Sequence, residues 1–184
     1  MNISKTVKRA ISVMIVFVCM LSLAACRTTE NKMEKSEFPQ FKGTDFEGNE
    51  VDETMFSDNN VTVVNFWFNE CSACVDEMQV LDFFNHKLKE KGVELVGINV
   101  EAGKNKDVLE QAKKILKEQG ATFRNVVISE GDEVKEYMSD ITVFPITILV
   151  DSEGKIVENP IQGSIDNEEN MKKIESMINE ICKK

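Results

Sequence analysis

This chain is poor in several residue types, and each shortage excludes a class of protein. Its 184 residues include three prolines and nine glycines, too few for a low-complexity or collagen-like chain. Basic residues are also outnumbered: the chain has 22 Lys and Arg and 32 Asp and Glu, which gives a formal net charge of -10. Proteins that bind nucleic acid normally carry a basic patch for the phosphates, so nucleic acid is not an expected partner. With 42% hydrophobic residues, the chain is long enough for one domain with a real core.

Five cysteines are too few for a small disulfide-rich scaffold, and their spacing does not fit a zinc site. The five cysteines are Cys19, Cys26, Cys71, Cys74 and Cys182. A zinc site built on the Cys71–Cys74 pair would need two more ligands. Only His86 and Cys182 remain, and neither stands at a ligand spacing. Each cysteine is therefore interpreted separately.

The N-terminus has the pattern of an export signal. Three basic residues, at positions 5, 8 and 9, precede an uncharged apolar run over residues 10–25. A membrane-spanning helix needs roughly 20 residues, so this run is short for one but suits the hydrophobic segment of a signal peptide. The run ends in Leu-Ala-Ala followed by Cys26. This ending resembles the lipobox of bacterial lipoproteins, in which the cysteine is lipidated and everything before it is removed.

These features predict three parts of the chain. Residues 1–25 are expected to be a lipoprotein signal peptide that includes Cys19, with a plain signal peptide or an uncleaved anchor as the alternative. Residues 26–37 are polar, without apolar periodicity, and are expected to be a tether carrying the lipid on Cys26. Residues 38–184 are expected to be the folded domain, lipid-anchored at the cell membrane on its extracytoplasmic face.

Strand-like and helix-like segments alternate through the predicted domain. Residues 41–51 have the turn signal of an N-terminal β-hairpin. Further strands are predicted at residues 61–68, 94–100, 123–128, 146–150 and 155–157, and helices at residues 71–91, 105–119, 132–138 and 167–182. Gly92 is predicted to end the first helix, and Asp166 with Glu169 to form the capping box of the last. This order predicts an α/β fold with a mixed central sheet flanked by helices.

The Cys71-Ser-Ala-Cys74 segment stands where a buried strand is predicted to end and a helix to begin. The unpaired N–H groups and partial positive charge of a helix N-terminus stabilise a thiolate, which is the reactive form of cysteine. We therefore expect Cys71 to be the exposed nucleophile and Cys74 to resolve the mixed disulfide. The alternatives are a structural disulfide, half of a metal site and two inert buried thiols. As a structural disulfide, so short a loop would gain little from closure.

Around these cysteines the chain resembles the thioredoxin superfamily, closest to its membrane-tethered TlpA/ResA-like thiol–disulfide oxidoreductases. The segment VVNFWF, then CSAC, then a helix is similar to the family's strand–active-site–helix unit. Residues 143–148 resemble its cis-proline loop and residues 151–156 its β-hairpin, and residues 105–119 stand where this branch carries an inserted helix. The resemblance covers about residues 38–184. It implies a thioredoxin-like fold whose redox group is the cysteine pair, without a cofactor.

The resemblance also implies roles for individual residues. Pro145 would be the cis-proline that shapes the substrate groove, with an ordinary strand-entry proline as the alternative. Glu77 would be the active-site acid that moves protons, with a solvated first-turn Glu as the alternative. The only tryptophan, Trp67, would be the active-site aromatic, interpreted as packing beside the dithiol and contributing to the substrate site. Asn65 stands where thioredoxins proper carry a buried Asp. Because an amide cannot exchange protons, proton handling is expected to fall to Glu77.

Two residues depart from the family pattern. Glu70 immediately precedes Cys71, and its negative charge is expected to oppose the helix dipole and keep the Cys71 thiol less acidic. Phe144, before the proline, is bulkier than the residues usual there and is predicted to influence partner choice. Elsewhere, His86 is interpreted as a solvated helix residue. Cys182 is interpreted as a small apolar residue at the core edge, with a free thiol for intermolecular contacts as the alternative.

The resemblance implies a reductase that takes electrons from a membrane thiol carrier. They would pass to an exported disulfide-containing protein, such as a methionine sulfoxide reductase or apocytochrome c. A disulfide-donating oxidase of the same fold is the main alternative. A copper-delivery module is a weaker one, because His86 lies in the wrong element for a distal ligand. A non-catalytic surface lipoprotein also remains open.

Overall fold

The domain is built on a seven-stranded sheet, and the computed structural model describes residues 37–183. The strands are β1 (Lys42–Asp45), β2 (Glu50–Asp52), β3 (Val61–Trp67), β4 (Val93–Asn99), β5 (Arg124–Glu130), β6 (Ile146–Asp151) and β7 (Ile161–Gln162). The α-helices of the described residues are α1 (Ser72–Asp76), α2 (Met78–Leu88), α3 (Lys106–Gln119), α4 (Asp132–Ser139) and α5 (Glu168–Ile181). Short 3-10 helices cover Glu53–Asp58 and Lys89–Lys91.

The strand order is β2-β1-β5-β4-β3-β6-β7. Strands β3, β4 and β5 run parallel to one another, whereas β6 is antiparallel to β3 and β1 is antiparallel to β5. Strand β3 is buried at every position because it has a neighbour on each side and helices over both faces. Its C-terminal end lies four residues before Cys71, so a fully buried strand positions the cysteine pair.

The two faces of the sheet pack against different buried clusters of side chains. Successive side chains of β3 point to opposite sides, so Val63, Asn65 and Trp67 share one face while Val64 and Phe66 share the other. We call the first the dithiol face, because its buried cluster includes both active-site cysteines and residues of α2, α3 and α5. We call the second the aromatic face, whose cluster includes Phe38, Phe41, Phe56, Phe66 and, partly buried, Tyr137.

The predicted α/β thioredoxin-like fold is confirmed, including the N-terminal hairpin and the helix over residues 105–119. The single helix predicted over residues 71–91 is wrong in one respect. It is divided at Glu77 into α1 and α2, and it ends in a 3-10 turn before Gly92, which is left-handed at φ 69°. Glu77 is held by hydrogen bonds from other elements, and apolar periodicity along the helix carries no information on such contacts.

Two other local predictions are corrected. Residues 155–157 do not form a strand: Lys155 and Ile156 make only isolated bridges, and the strand paired with β6 is β7. Pro160 lies between residues 155–157 and β7. Because it lacks an N–H group, it cannot donate to a ladder that would continue along β6 from one segment to the other. The cap of the last helix is Asn167, whose side chain accepts a hydrogen bond from Asn170 N, rather than Asp166. Adjacent Asp and Asn are equally good caps, so the sequence did not discriminate between them.

The predicted signal peptide, the lipidation site Cys26 and the tether up to residue 36 lie outside the described residues. Glu37, the last residue assigned to the tether, forms an isolated bridge with Lys155. Over residues 37–183, no helix is long and apolar enough to cross a membrane.

Candidate active site

The cysteine pair stands at the N-terminus of α1 as a disulfide. Cys71 and Cys74 are joined with a Cα–Cα distance of 5.2 Å. Cys71 is the N-cap residue of α1, and its Sγ accepts a hydrogen bond from Cys74 N at 3.2 Å. That N–H group would stabilise a Cys71 thiolate in the reduced protein. The expectation that Cys71 is exposed is wrong for this oxidised state, since it is 8% exposed, although Cys74 is more deeply buried at 1%.

Glu77 is a completely buried carboxyl group at the junction of α1 and α2. Its Oε1 accepts a hydrogen bond from Asn65 Nδ2 at 3.0 Å. Its Oε2 accepts hydrogen bonds from Ser164 Oγ at 2.9 Å and Ile165 N at 2.7 Å. Burial raises the pKa of Glu77 above its ordinary value, Asp166 adds to the rise, and the three hydrogen bonds offset part of it. A carboxyl group with a raised pKa is suited to exchanging protons near neutral pH.

Asn65 connects Glu77 to the sheet. Its Nδ2 also donates to Thr147 Oγ1 at 3.1 Å, so one amide links a β6 hydroxyl to the buried carboxyl. Thr147, Asn65, Gly97 and Asn125 are register partners across β6, β3, β4 and β5. We call these four residues the polar row. It crosses the dithiol face, and Asn65 is the member of the row that bonds to the buried acid.

Trp67 lies near the other end of the polar row. Its Nε1 donates to Asn125 Oδ1 at 2.8 Å, and Asn125 Nδ2 donates to Phe123 O at 3.0 Å. Gly97 makes this arrangement possible, because a Cβ at that position would overlap Asn125 Oδ1. The ring of Trp67 is fully buried. It presents no surface to a substrate in this conformation, so the role carried forward for Trp67 is packing beside the dithiol rather than substrate contact.

The proline loop adjoins the same region. The Phe144–Pro145 peptide bond is cis, the geometry that the family resemblance implies. Pro145 O accepts a hydrogen bond from Gly163 N at 2.8 Å, which ties this loop to the segment that holds Glu77. Phe144 is half-buried and packs edge-on against Phe68, with ring centroids 5.2 Å apart. These two rings, together with the exposed Val143, give the chain apolar surface at the proline loop.

Several predicted residues lie apart from this site or have a different setting. His86 is exposed on α2, 3.5 Å from Asp82, as interpreted. Cys182 is exposed and free, so its assignment to the core edge is wrong. Glu70 is exposed beside Cys71. Among residues 37–183, no three His, Cys, Asp or Glu side chains come together in a group that could hold a metal ion.

Sequence reasoning missed the partners of Glu77 that come from outside its helix. Ser164 and Ile165 are separated from Glu77 by 87 and 88 positions and belong to a loop without a recognisable motif. Thr147 is within the segment compared with the cis-proline loop, but its hydroxyl carried no signal of its own. Asn125 had no signal either, although an Asn inside an apolar strand pattern could have prompted a search for a buried partner.

A mixed sheet whose central strand leads into a helix-capping cysteine pair, next to a cis-proline loop, defines a thioredoxin-fold thiol–disulfide oxidoreductase. Comparison with known proteins agrees with this class. Residues 33–176 match the model of the Redoxin family. The thiol-disulfide oxidoreductase ResA of Bacillus thuringiensis subsp. konkukian (strain 97-27) is 30% identical over 132 residues, covering 71% of this chain and 72% of that protein. ResA of Bacillus subtilis (strain 168) is 27% identical over 150 residues, with 79% of each protein covered.

Solved structures give the same result. The thioredoxin domain of a thiol-disulfide oxidoreductase from Bacteroides vulgatus aligns with a TM-score of 0.62 and 29% identity, covering 78% of this chain and 96% of that one. A thiol:disulfide interchange protein from Bacteroides sp. aligns with a TM-score of 0.62 and 29% identity, covering 79% and 90%. The chain therefore belongs to the Redoxin family, as a TlpA/ResA-like thiol–disulfide oxidoreductase of the thioredoxin superfamily.

Proposed function

We propose that this oxidoreductase works as a reductase, passing electrons from a membrane thiol carrier to disulfides of exported proteins. The observation that carries the proposal is the cysteine pair beside the buried, hydrogen-bonded Glu77. Glu70 supports the reducing direction, because it is exposed immediately before Cys71 and opposes a negative charge on that sulfur. A less stable thiolate makes the reduced dithiol a better electron donor, whereas strong oxidants have a stabilised reduced form.

The reaction follows from the placement of the two sulfurs. The Cys71 thiolate attacks one sulfur of the substrate disulfide, and the other substrate sulfur leaves with the electron pair of the broken bond. Cys74 then gives its proton to the Glu77 carboxylate and attacks Cys71, forming the Cys71–Cys74 disulfide and releasing the second substrate sulfur as a thiolate, which takes a proton from water as the first one does. Two electrons pass from the protein dithiol to the substrate, and a membrane thiol donor restores the dithiol. Pro145 holds the substrate backbone and Phe144 provides apolar contact.

The substrates proposed are exported proteins with an oxidised cysteine pair, such as a methionine sulfoxide reductase or apocytochrome c. The site of action is the extracytoplasmic face of the cell membrane, with the domain anchored by lipid on Cys26. The apolar run and the Leu-Ala-Ala-Cys sequence support this location. Labelling cells with a radioactive fatty acid tests it: the wild-type chain incorporates label, and Cys26→Ser does not. Label retained by Cys26→Ser would contradict the anchor.

Trapping tests the assignment of the two sulfurs. Cys74→Ser should hold partners on Cys71 as mixed disulfides that a reductant releases, and Cys71→Ser should hold none. The reverse pattern would show that Cys74 is the nucleophile. The double variant Cys71→Ser/Cys74→Ser controls for disulfides formed through the exposed Cys182.

The reduction potential tests the direction of electron flow. Equilibration of the purified domain with glutathione buffers should give a value near the thioredoxin potential of about -270 mV. A value near the potential of the strong oxidant DsbA, about -120 mV, would instead identify a disulfide-donating oxidase. Glu70→Gln should shift the potential toward the oxidising side. Asp76→Asn, which removes an exposed acid from the far end of α1, should shift it less.

A further inference from the structure

We infer that the Ser164 hydroxyl is the proton relay between the buried Glu77 and solvent. This inference rests on the proposed proton-transfer role of Glu77 and adds the route by which its proton enters and leaves. Glu77 has no exposed surface, so the proton that it takes from Cys74 can pass to water only through a neighbouring group. One of its direct contacts must therefore pass the proton on.

The three hydrogen-bond partners of Glu77 differ in what they can do with a proton. Asn65 Nδ2 and Ile165 N are N–H donors that have no lone pair to accept one. The Ser164 hydroxyl, 2.9 Å from Oε2, can both donate and accept. Among the described groups that bond to Glu77, it is therefore the one that can accept a proton and give one up in the same step. It is also half-buried, whereas Asn65 and Ile165 are each 1% exposed.

The hydrogen bonds around Ser164 allow it to reverse direction. When Glu77 is ionised, the Ser164 O–H donates to Oε2. When Glu77 is protonated, Oε2–H donates to Ser164 Oγ, which also accepts from Asp166 N at 3.3 Å and can turn its own O–H outward. Proton release then takes one concerted step: Oε2–H passes its proton to Oγ while the original Ser164 proton passes to a water. The serine ends unchanged, and one proton has moved from the acid to solvent.

The loop that carries Ser164 is held by hydrogen bonds on both sides of the serine. Gly163 N donates to Pro145 O at 2.8 Å, and Ser164 O accepts from Asn167 Nδ2 and Asn170 Nδ2 at 2.9 Å each. The loop is therefore held both to the proline loop and to the start of α5.

The ionisable groups around Glu77 are few. They are the Cys71–Cys74 pair from the α1 side and the exposed Asp166 from the loop, which raises the pKa of Glu77. Strands β3 and β6 contribute the neutral Asn65 and Thr147. The pH dependence of a Ser164 variant can therefore be assigned to Glu77, the dithiol or Asp166.

The test follows oxidation of the reduced protein by oxidised glutathione, with acid quenching and thiol counting by mass spectrometry, at several pH values. Ser164→Ala should lower the maximum rate about tenfold, a part of the roughly 10²–10⁴-fold that general acid–base groups contribute. Small buffer molecules such as imidazole should restore much of this rate by carrying the proton themselves. Ser176→Ala, an exposed serine on α5, should be unchanged.

A matched pair separates the hydroxyl from the shape of the side chain. Ser164→Thr keeps the hydroxyl and should react within about twofold of wild type, whereas the similarly shaped Ser164→Val should be as slow as Ser164→Ala. This pair stays informative if Ser164→Ala folds poorly. Equal rates for Thr and Val would overturn the relay. So would a Ser164→Ala profile that shifts along the pH axis and reaches the wild-type maximum, because it would make Ser164 a hydrogen-bond donor only.

Glu77→Gln in the same assay distinguishes this inference from the function on which it rests. If Glu77→Gln slows the reaction and the Ser164 variants do not, the relay alone is wrong. If Glu77→Gln reacts at the wild-type rate, the proton-transfer role of Glu77 fails and the relay fails with it. If both ideas hold, Ser164→Ala adds no further loss in the Glu77→Gln background, since the two residues act in one step.

Discussion

The dithiol face and the aromatic face of the sheet are both buried, but they are built for different purposes. The aromatic face is filled by packed rings. The ring centroid of Phe38 lies 5.1 Å from that of Phe56 and 5.8 Å from that of Phe41, both in edge-on contact. The dithiol face carries the polar row and Glu77, joined by hydrogen bonds of 2.7–3.1 Å. Packing of rings stabilises mainly through buried area, whereas a hydrogen bond also sets the position of one donor and one acceptor atom. The dithiol face therefore adds positioned polar groups to an apolar core of its own.

The polar groups of the two faces show the same difference. On the dithiol face, Glu77 accepts hydrogen bonds at both carboxyl oxygens and Asn65 donates two. On the aromatic face, Tyr137 Oη is buried with no hydrogen-bond partner in the described part of the chain. Burial raises the pKa of Tyr137, so it stays neutral through the physiological range. Ionisation in the core at moderate pH is therefore expected on the dithiol face.

The largest expected effect is on stability and comes from the aromatic face. Phe56 is 1% exposed and contacts Phe38, so Phe56→Ala should cost about 3–5 kcal/mol of unfolding free energy through lost burial and a cavity. The rate of disulfide exchange per folded molecule should not change. Denaturant unfolding and quenched-flow exchange measure the two quantities. A reduced rate in the folded fraction would mean that the two faces are coupled.

The next effect is on catalysis and comes from the dithiol face. Glu77→Gln should slow disulfide exchange about 10²-fold, at the lower end of what general acid–base groups contribute. The fold should be kept, because Asn65 can turn its amide to accept from the new N–H₂ group. Asp76→Asn removes an exposed carboxylate one residue earlier and should react as wild type does. A loss of unfolding cooperativity in Glu77→Gln would instead make this acid a structural requirement.

A smaller effect is expected within the polar row. Gly97→Ala would place a methyl group against Asn125 Oδ1 and 3.0 Å from Phe123 Cε2, costing about 1–3 kcal/mol of stability. Displacement of Asn125 would also weaken its bond to Trp67, so fluorescence of the single tryptophan should change. Gly103→Ala is the control, because its methyl would meet first the tip of Val127, at 3.0 Å. Equal losses in both variants would argue against a special role for the row.

The smallest effect is a pH dependence of stability. Because the folded pKa of Glu77 is raised above its ordinary value of 4.5, the folded protein holds this proton at pH values where the unfolded chain has lost it. Its contribution is complete below the unfolded pKa and is lost as pH rises through the folded pKa. The free energy of unfolding of wild type relative to Glu77→Gln should therefore fall across that window. A constant difference would show that burial does not perturb Glu77.

Much of the site could be predicted because its information is local. The apolar strand Val61–Trp67, the cysteine spacing and the proline segment are each contiguous in sequence, and all three are where they were expected. The errors concern interactions between distant segments. The division of the helix at Glu77 and the pairing of β7 with β6 depend on neighbours that periodicity does not describe.

The sequence by itself determined the class of this protein, because a strand, a Cys-x-x-Cys pair and a helix start are short-range features whose chemistry follows from backbone geometry. Only the tertiary structure decided how Glu77 is held, by an amide from β3 and a hydroxyl and an N–H from the loop before α5. A buried carboxyl needs partners for its oxygens, and those partners can come from any segment that folding brings near. The identity of Ser164 as one of them became visible only once the chain was folded.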